Sequence, residues 1–136
     1  MDYYDLSGKL LEWLNQQTKL NQRVGGRIFQ PYSIGETDGT GFDEEESPKI
    51  MFKQMGGYPD YRYLFIVEGQ RGNPQEAREI AFLLLNTLRG GALELRAGDA
   101  NAIVIVMAEP EGGLTDSANE VSKAPQVFFY TRLTSI

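Results

Sequence analysis

Residues 73–91 constrain the fold more than any other stretch, because both ends of a helix and its buried face can be read in them. Asn73 offers an N-cap side chain, and Pro74 fits the first helical turn, where no amide needs a partner. Glu76 stands where a capping-box carboxylate reaches back to the cap. From Ala77 onward Ile80, Ala81, Leu84, Leu85 and Leu88 recur at three- and four-residue steps, with Arg78, Glu79, Asn86 and Arg89 between them, so one face is core. Gly90 and Gly91 supply the left-handed position that glycine occupies without steric cost, and the helix should end there. The strand candidates on either side, 61–68 and 102–108, are rich in large apolar residues that would cover such a helix. The stretch predicts a helix lying on a sheet.

A chain of 136 residues predicts one domain, 1–136, with a substantial core. With no cysteine there is neither a disulfide framework nor a thiolate nucleophile, and with no histidine the commonest general base and metal ligand is missing. The residues therefore predict no catalytic constellation and no cofactor. A net charge of -6 argues against a broad phosphate-binding surface. No apolar run approaches the roughly 20 residues of a membrane span, and the start, with Asp2 and Asp5, does not read as a secretory signal. Synthesis in the cytoplasm, without a membrane partner, is the expectation.

Leu6, Leu10, Leu11 and Leu14, with Trp13, form a helical stripe that predicts a first helix over 3–20, followed by a short strand over 24–29 interrupted by Gly25 and Gly26. The glycine pair lacks the lysine and following helix of a nucleotide loop and reads as a helix-to-strand turn. Residues 48–55 and 61–68 predict an antiparallel hairpin across a turn at 56–60, with Ile50, Phe52 and Gln54 on one side of the first strand and Met51, Lys53 and Met55 on the other. The second strand is apolar on both faces and so belongs at the centre of a sheet. After the organising helix, 92–97 and 102–108 predict a second hairpin around Gly98, Asp99, Ala100 and Asn101. Residues 109–124 read as a long polar loop. A closing strand over 126–133 has Val127, Phe129 and Thr131 on one face and Phe128, Tyr130 and Arg132 on the other. The expected fold is α+β: a mainly antiparallel sheet, two amphipathic helices packed on one face, and long polar loops.

Residues 30–47 turn abruptly to glycine, threonine and acidic side chains, and connections of that length are usually functional or ordered by a partner. Phe42, Asp43, Glu44, Glu45 and Glu46 form the candidate site: a loop that lines a lumen or an interface. The acidic run lacks the alternating oxygen ligands and glycine of a calcium loop and reads otherwise as a solvated tip.

The opening helix running into Val24-Gly25-Gly26-Arg27-Ile28-Phe29, the strand Tyr63-Leu64-Phe65-Ile66-Val67 and the helix start Asn73-Pro74-Gln75-Glu76-Ala77-Arg78 together resemble the tail-terminator, or tail-completion, proteins of long-tailed bacteriophages. The resemblance implies a structural protein of the virion tail, assembled in the host cytoplasm. It implies a homo-hexameric ring that sits on the tail tube protein, ends tube polymerisation and offers its other face to the head-tail connector protein, with DNA passing through without specific binding. The residues also allow a small enzyme that uses Asp43, Glu44 or Asp116 with a divalent metal, or a monomeric module whose loops grip a peptide or small ligand.

Overall fold

Sheet and helices enclose a single apolar core, and the computed structural model describes residues 6–30, 46–56, 61–89, 92–96, 103–120 and 122–135 of the chain. In chain order the elements are α1 (Leu6–Asn15), α2 (Thr18–Val24), β1 (Ile28–Phe29), β2 (Lys49–Gly56), β3 (Tyr61–Glu68), α3 (Pro74–Arg89), β4 (Ala92–Arg96), β5 (Ile103–Ala118) and β6 (Pro125–Ser135). The strands form one sheet in the order β1-β2-β3-β6-β5-β4, antiparallel at every junction except β1 with β2. The fold is therefore α+β, and β3 lies in its interior. No described helix is long and apolar enough to cross a membrane.

The opening helix is two helices rather than one. The chain parts at Gln17, whose backbone is extended (φ -82°, ψ 95°) and whose side-chain amide donates to the Trp13 carbonyl at 3.0 Å. In an unbroken helix Leu20 would point about 120° away from Leu14, six residues on at about 100° each. The break turns α2 so that Leu10, Leu14, Leu20 and Val24 all enter the same core. The expected strand over 24–29 shrinks for a related reason. Val24 is the last residue of α2, and Gly25 (φ 59°) takes the left-handed cap while the Gly26 amide donates to the Asn21 carbonyl at 3.0 Å. Only Ile28 and Phe29 remain as strand. Tyr3 and the rest of residues 1–5 lie outside the described residues.

β1 runs parallel to β2, pairing Ile28 with Ile50 and Phe29 with Met51. A parallel neighbour needs a crossover of a dozen or more residues, so the length of the connection between β1 and β2 follows from topology. Arg27 joins the two strands from below: its carbonyl accepts from the Ile50 amide at 2.9 Å, and its Nε donates to the Pro48 carbonyl at 3.0 Å. The Ser47–Pro48 peptide is cis. β2 and β3 form the expected hairpin, with Lys49 opposite Glu68 and Phe52 opposite Phe65; residues 57–60 of its turn lie outside the described residues.

One face of the sheet carries Ile50, Phe52, Tyr61, Tyr63, Phe65, Val67, Val127, Phe129 and Leu133, all buried in one cluster with the helices. The Phe65 ring stacks on Phe52 (5.6 Å) and on Phe129 (5.4 Å), an aromatic row across three strands. α3 supplies Ala77, Ile80, Ala81, Leu84 and Leu88 to this cluster, with Leu85 partly buried beside it. Its Asn73 caps as expected, accepting from the Glu76 amide at 3.2 Å. The Glu76 carboxylate departs from the expected box and accepts from the Gln70 amide at 2.8 Å, which anchors the loop before the helix. Gly69 permits that loop to pass close to the helix, since a Cβ there would meet the Ala77 nitrogen at 3.0 Å. Gly90 and Gly91 lie outside the described residues. α1 touches both β1 and β4, the two edges, so the sheet curls around the helical layer.

The second hairpin forms from β4 and β5, with residues 97–102 outside the described residues. The polar stretch 109–124 is not a loop. β5 continues along β6 as far as Ala118, and the connection is reduced to a short turn in which the Asn119 amide donates to the Ala124 carbonyl at 2.9 Å. Between Glu111↔Tyr130 and Thr115↔Phe128 the register shifts, four steps of β5 opposing two of β6, with Gly112 at φ 73°. The bulge turns Leu114 toward the core and hides the strand's alternation from a reading of periodicity.

Candidate interaction surface

Alternation along β2, β3, β6 and β5 places a second set of side chains on the face turned away from the helices, and the register arranges them in rows. The first row is Lys49, Glu68, Gln126 and Ser117; the second is Met51, Ile66, Phe128 and Thr115. The third row is Lys53, Leu64, Tyr130 and Glu111, and the last is Gly56, Arg62 and Arg132 with Glu109. None of the outer-face residues belongs to the core cluster shared with the helices. Met51 and Leu64 are nevertheless buried, and Ile66, Phe128 and Tyr130 are half-buried. The two middle rows thus make an aliphatic and aromatic strip, in which Phe128 meets Tyr130 edge to face at 6.3 Å.

One end of the strip is closed by a buried ion pair. Lys49 Nζ lies 3.1 Å from Glu68 Oε2, with both side chains almost wholly out of solvent. Burying two charges is costly unless every lone pair is used. Here Glu68 Oε2 also accepts from Ser47 at 2.9 Å, and Oε1 accepts from Asn119 at 3.1 Å and Gln126 at 3.0 Å. The Gly69 amide beside it donates to the Pro125 carbonyl at 2.9 Å. This cluster fastens the end of the β1–β2 crossover and the β5–β6 turn to the same end of β3. With four donors on its carboxylate, Glu68 is a fastener rather than a free base.

The opposite end is open, and its last two rows carry Lys53, Arg62 and Arg132 together with Glu109 and Glu111. Arg62 Nε donates to Glu111 Oε2 at 3.0 Å, Arg132 Nε lies 3.6 Å from Glu111 Oε1, and the Arg62 guanidinium sits 4.3 Å above the Tyr130 ring. Two arginines share one carboxylate there, and each is 47% exposed.

The sequence-predicted site divides at the edge of the described residues. Phe42, Asp43, Glu44 and Glu45 lie outside them, and Glu46 is exposed next to Ser47. Asp116, the third carboxylate of the metal reading, faces α3, where its two oxygens accept from Arg78 at 3.2 and 3.0 Å. No group of three acidic side chains able to hold a metal occurs among the described residues. Sequence reasoning passed over Lys49, Glu68 and the Arg62–Glu111–Arg132 cluster. The first pair was legible in the hairpin register, since strands meeting across 56–60 oppose 49 to 68. The second was not, because Glu111 reaches Arg62 only through β6, which is inserted between β3 and β5 from far along the chain.

Comparison of the chain with protein-family models, with curated proteins and with solved structures finds no match.

Proposed function

We propose that the chain is a structural assembly protein whose copies form a ring that caps a phage tail tube, ends its polymerisation and joins it to the head connector. The observation that carries this reading is the outer face of the sheet: Met51, Leu64, Ile66, Phe128 and Tyr130 make an apolar strip with arginines along its open end. Aromatic residues and arginine are the groups enriched at the centres of protein interfaces. A repeating interface of unlike surfaces closes into a ring when its rotation permits. The resemblance of residues 24–29, 63–67 and 73–78 to tail-terminator proteins gives the ring its setting. Copies would meet the tube protein on one side and the connector on the other, with DNA passing through the opening.

Light scattering and native mass spectrometry of the purified protein test the ring, which predicts a closed oligomer. Negative-stain images with and without tail tubes test the cap, which predicts density at tube ends and tubes of fixed length. A monomer that leaves tube ends bare removes the proposal.

A further inference from the structure

We propose that the cleft between the edge of β5 at residues 114–118 and the adjoining side of α3 takes an extended segment of a partner protein as an added strand. The inference is independent of the ring reading and uses a different surface.

β4 accompanies β5 only from Ile103 to Met107, so beyond that point β6 is its one strand neighbour among the described residues. Which backbone groups face the other side follows from the ladder. The Asn119 amide donates to the Ala124 carbonyl, so in register Ser117 exchanges bonds with Gln126 and Thr115 with Phe128. Asp116 and Ala118 alternate with them, and their amides and carbonyls point away from β6. Residues 115–118 are all exposed. Upstream the edge is blunted by Pro110, which has no amide, and by the bulge after Glu111. Pairing is therefore confined to the run that follows the bulge.

α3 walls this edge on the helical side. Arg78 reaches Asp116 with two bonds at 3.2 and 3.0 Å, which fixes the side of the helix that adjoins β5. At about 100° per residue, Arg78, Phe82, Leu85 and Arg89 fall within an arc of about 60°. Glu79, outside that arc, turns instead to Arg23 of α2. Phe82, about 6 Å along the axis from Arg78, is 57% exposed, and Leu85 is half-buried. A lone surface phenylalanine is ordinary. One beside an open strand edge is a wall for the alternate side chains of an added strand.

The occupant follows from these groups. Outward amides and carbonyls two residues apart, about 6.6 Å, match the repeat of an extended backbone. Side chains of that backbone on the helical side meet Phe82 and Leu85, so they are aliphatic or aromatic. Arg78 is matched by Asp116, whereas Arg89 is exposed at the other end of the arc, so an acidic residue completes the segment there.

An mRNA-displayed library of random twelve-residue peptides, selected on the purified full chain, tests the cleft. The enriched peptides should alternate apolar with other residues and carry an acidic one. A synthetic copy should slow hydrogen exchange of residues 114–118, and Phe82→Ser and Ala118→Pro should each weaken its binding at least tenfold. Ala118→Pro removes an outward amide that β6 does not use. If that variant does not fold, N-methylation of the peptide takes its place. Methylating one alternating set of peptide amides should cost at least tenfold in affinity, and methylating the other set should not. No enriched peptide, binding that survives Phe82→Ser, or equal losses from the two methylated sets overturns the added strand. Protection of residues 114–118 that rises with protein concentration in the absence of peptide also overturns it, because the edge then belongs to a second copy. None of these outcomes depends on whether the chain forms a ring, which the oligomer mass reads separately.

Discussion

Thr131 sits in the middle of β6, opposite Tyr63 on one side and Pro110 on the other, with its hydroxyl buried and without a hydrogen-bond partner among the described residues. A desolvated, unpaired hydroxyl costs about 1–3 kcal/mol. Thr131→Val keeps the shape and removes that oxygen, so the variant should gain about 1 kcal/mol in its urea midpoint at constant slope. Tyr63 beside it shows the opposite treatment. Its hydroxyl meets Ser7 at 2.8 Å, yet burial dominates and pushes its pKa up from 10.0 to about 12. A folded-state pKa above the unfolded one means that the neutral phenol's contribution is complete below about pH 10. It is lost as pH rises toward 12, because the unfolded chain gives up the proton first. Tyr63→Phe should therefore show a flatter loss of stability than wild type between pH 10 and 12 in denaturant titrations. Glu68→Gln removes the carboxylate charge that faces the buried Lys49 ammonium at 3.1 Å and should cost about 3–5 kcal/mol. Adding Lys49→Met to it should recover stability rather than lose more, and a double-mutant cycle reads the sign.

At the scale of elements, α3 is the part of this fold whose sequence says most. Cap, periodicity and length all point one way, and the buried set Ala77, Ile80, Ala81, Leu84 and Leu88 follows the apolar spacing. Leu84→Ala should cost about 2–5 kcal/mol by transfer energy and cavity. Arg78→Ala, which breaks only an exposed pair with Asp116, should leave the denaturation midpoint close to wild type. The strands at 49–56, 61–68 and 125–135 are equally legible, because alternation in each places a mainly apolar row toward the helices, broken by Gln54 in β2 and Thr131 in β6. The failures share one cause. The break at Gln17 and the bulge after Glu111 each change which way the following side chains point, and a single period run across either position gives the wrong element. Both are set by the core they must meet, through Leu20 and Val24 in the first case and Leu114 in the second.

For the whole molecule, local patterns could not show that β6 inserts between the two hairpins or that β1 lies parallel to β2. These are pairings between distant residues, and the β3–β6 pairing creates the outer face by joining the β2–β3 pair to the β5–β6 pair. The double-sided apolar character of β3 and β6 did signal a second buried surface, and the register shows where it lies. That surface can be weighed against Phe82, the exposed aromatic among the described residues, which is 57% exposed on α3. Both are phenylalanines in contact with water, but Phe128 belongs to a strip with Met51, Leu64, Ile66 and Tyr130, whereas Phe82 flanks the charged side of its helix. Isolated surface phenylalanines are ordinary, and contiguous apolar patches mark contact sites. If the chain assembles as proposed, Phe128→Ser should lower the oligomer mass to that of a monomer while cooperative unfolding persists, because in the single chain the phenyl ring is only half-buried. Phe82→Ser should leave the oligomer intact. If sedimentation shows the reverse order, or a wild-type monomer, the outer sheet face is not the contact proposed for the ring.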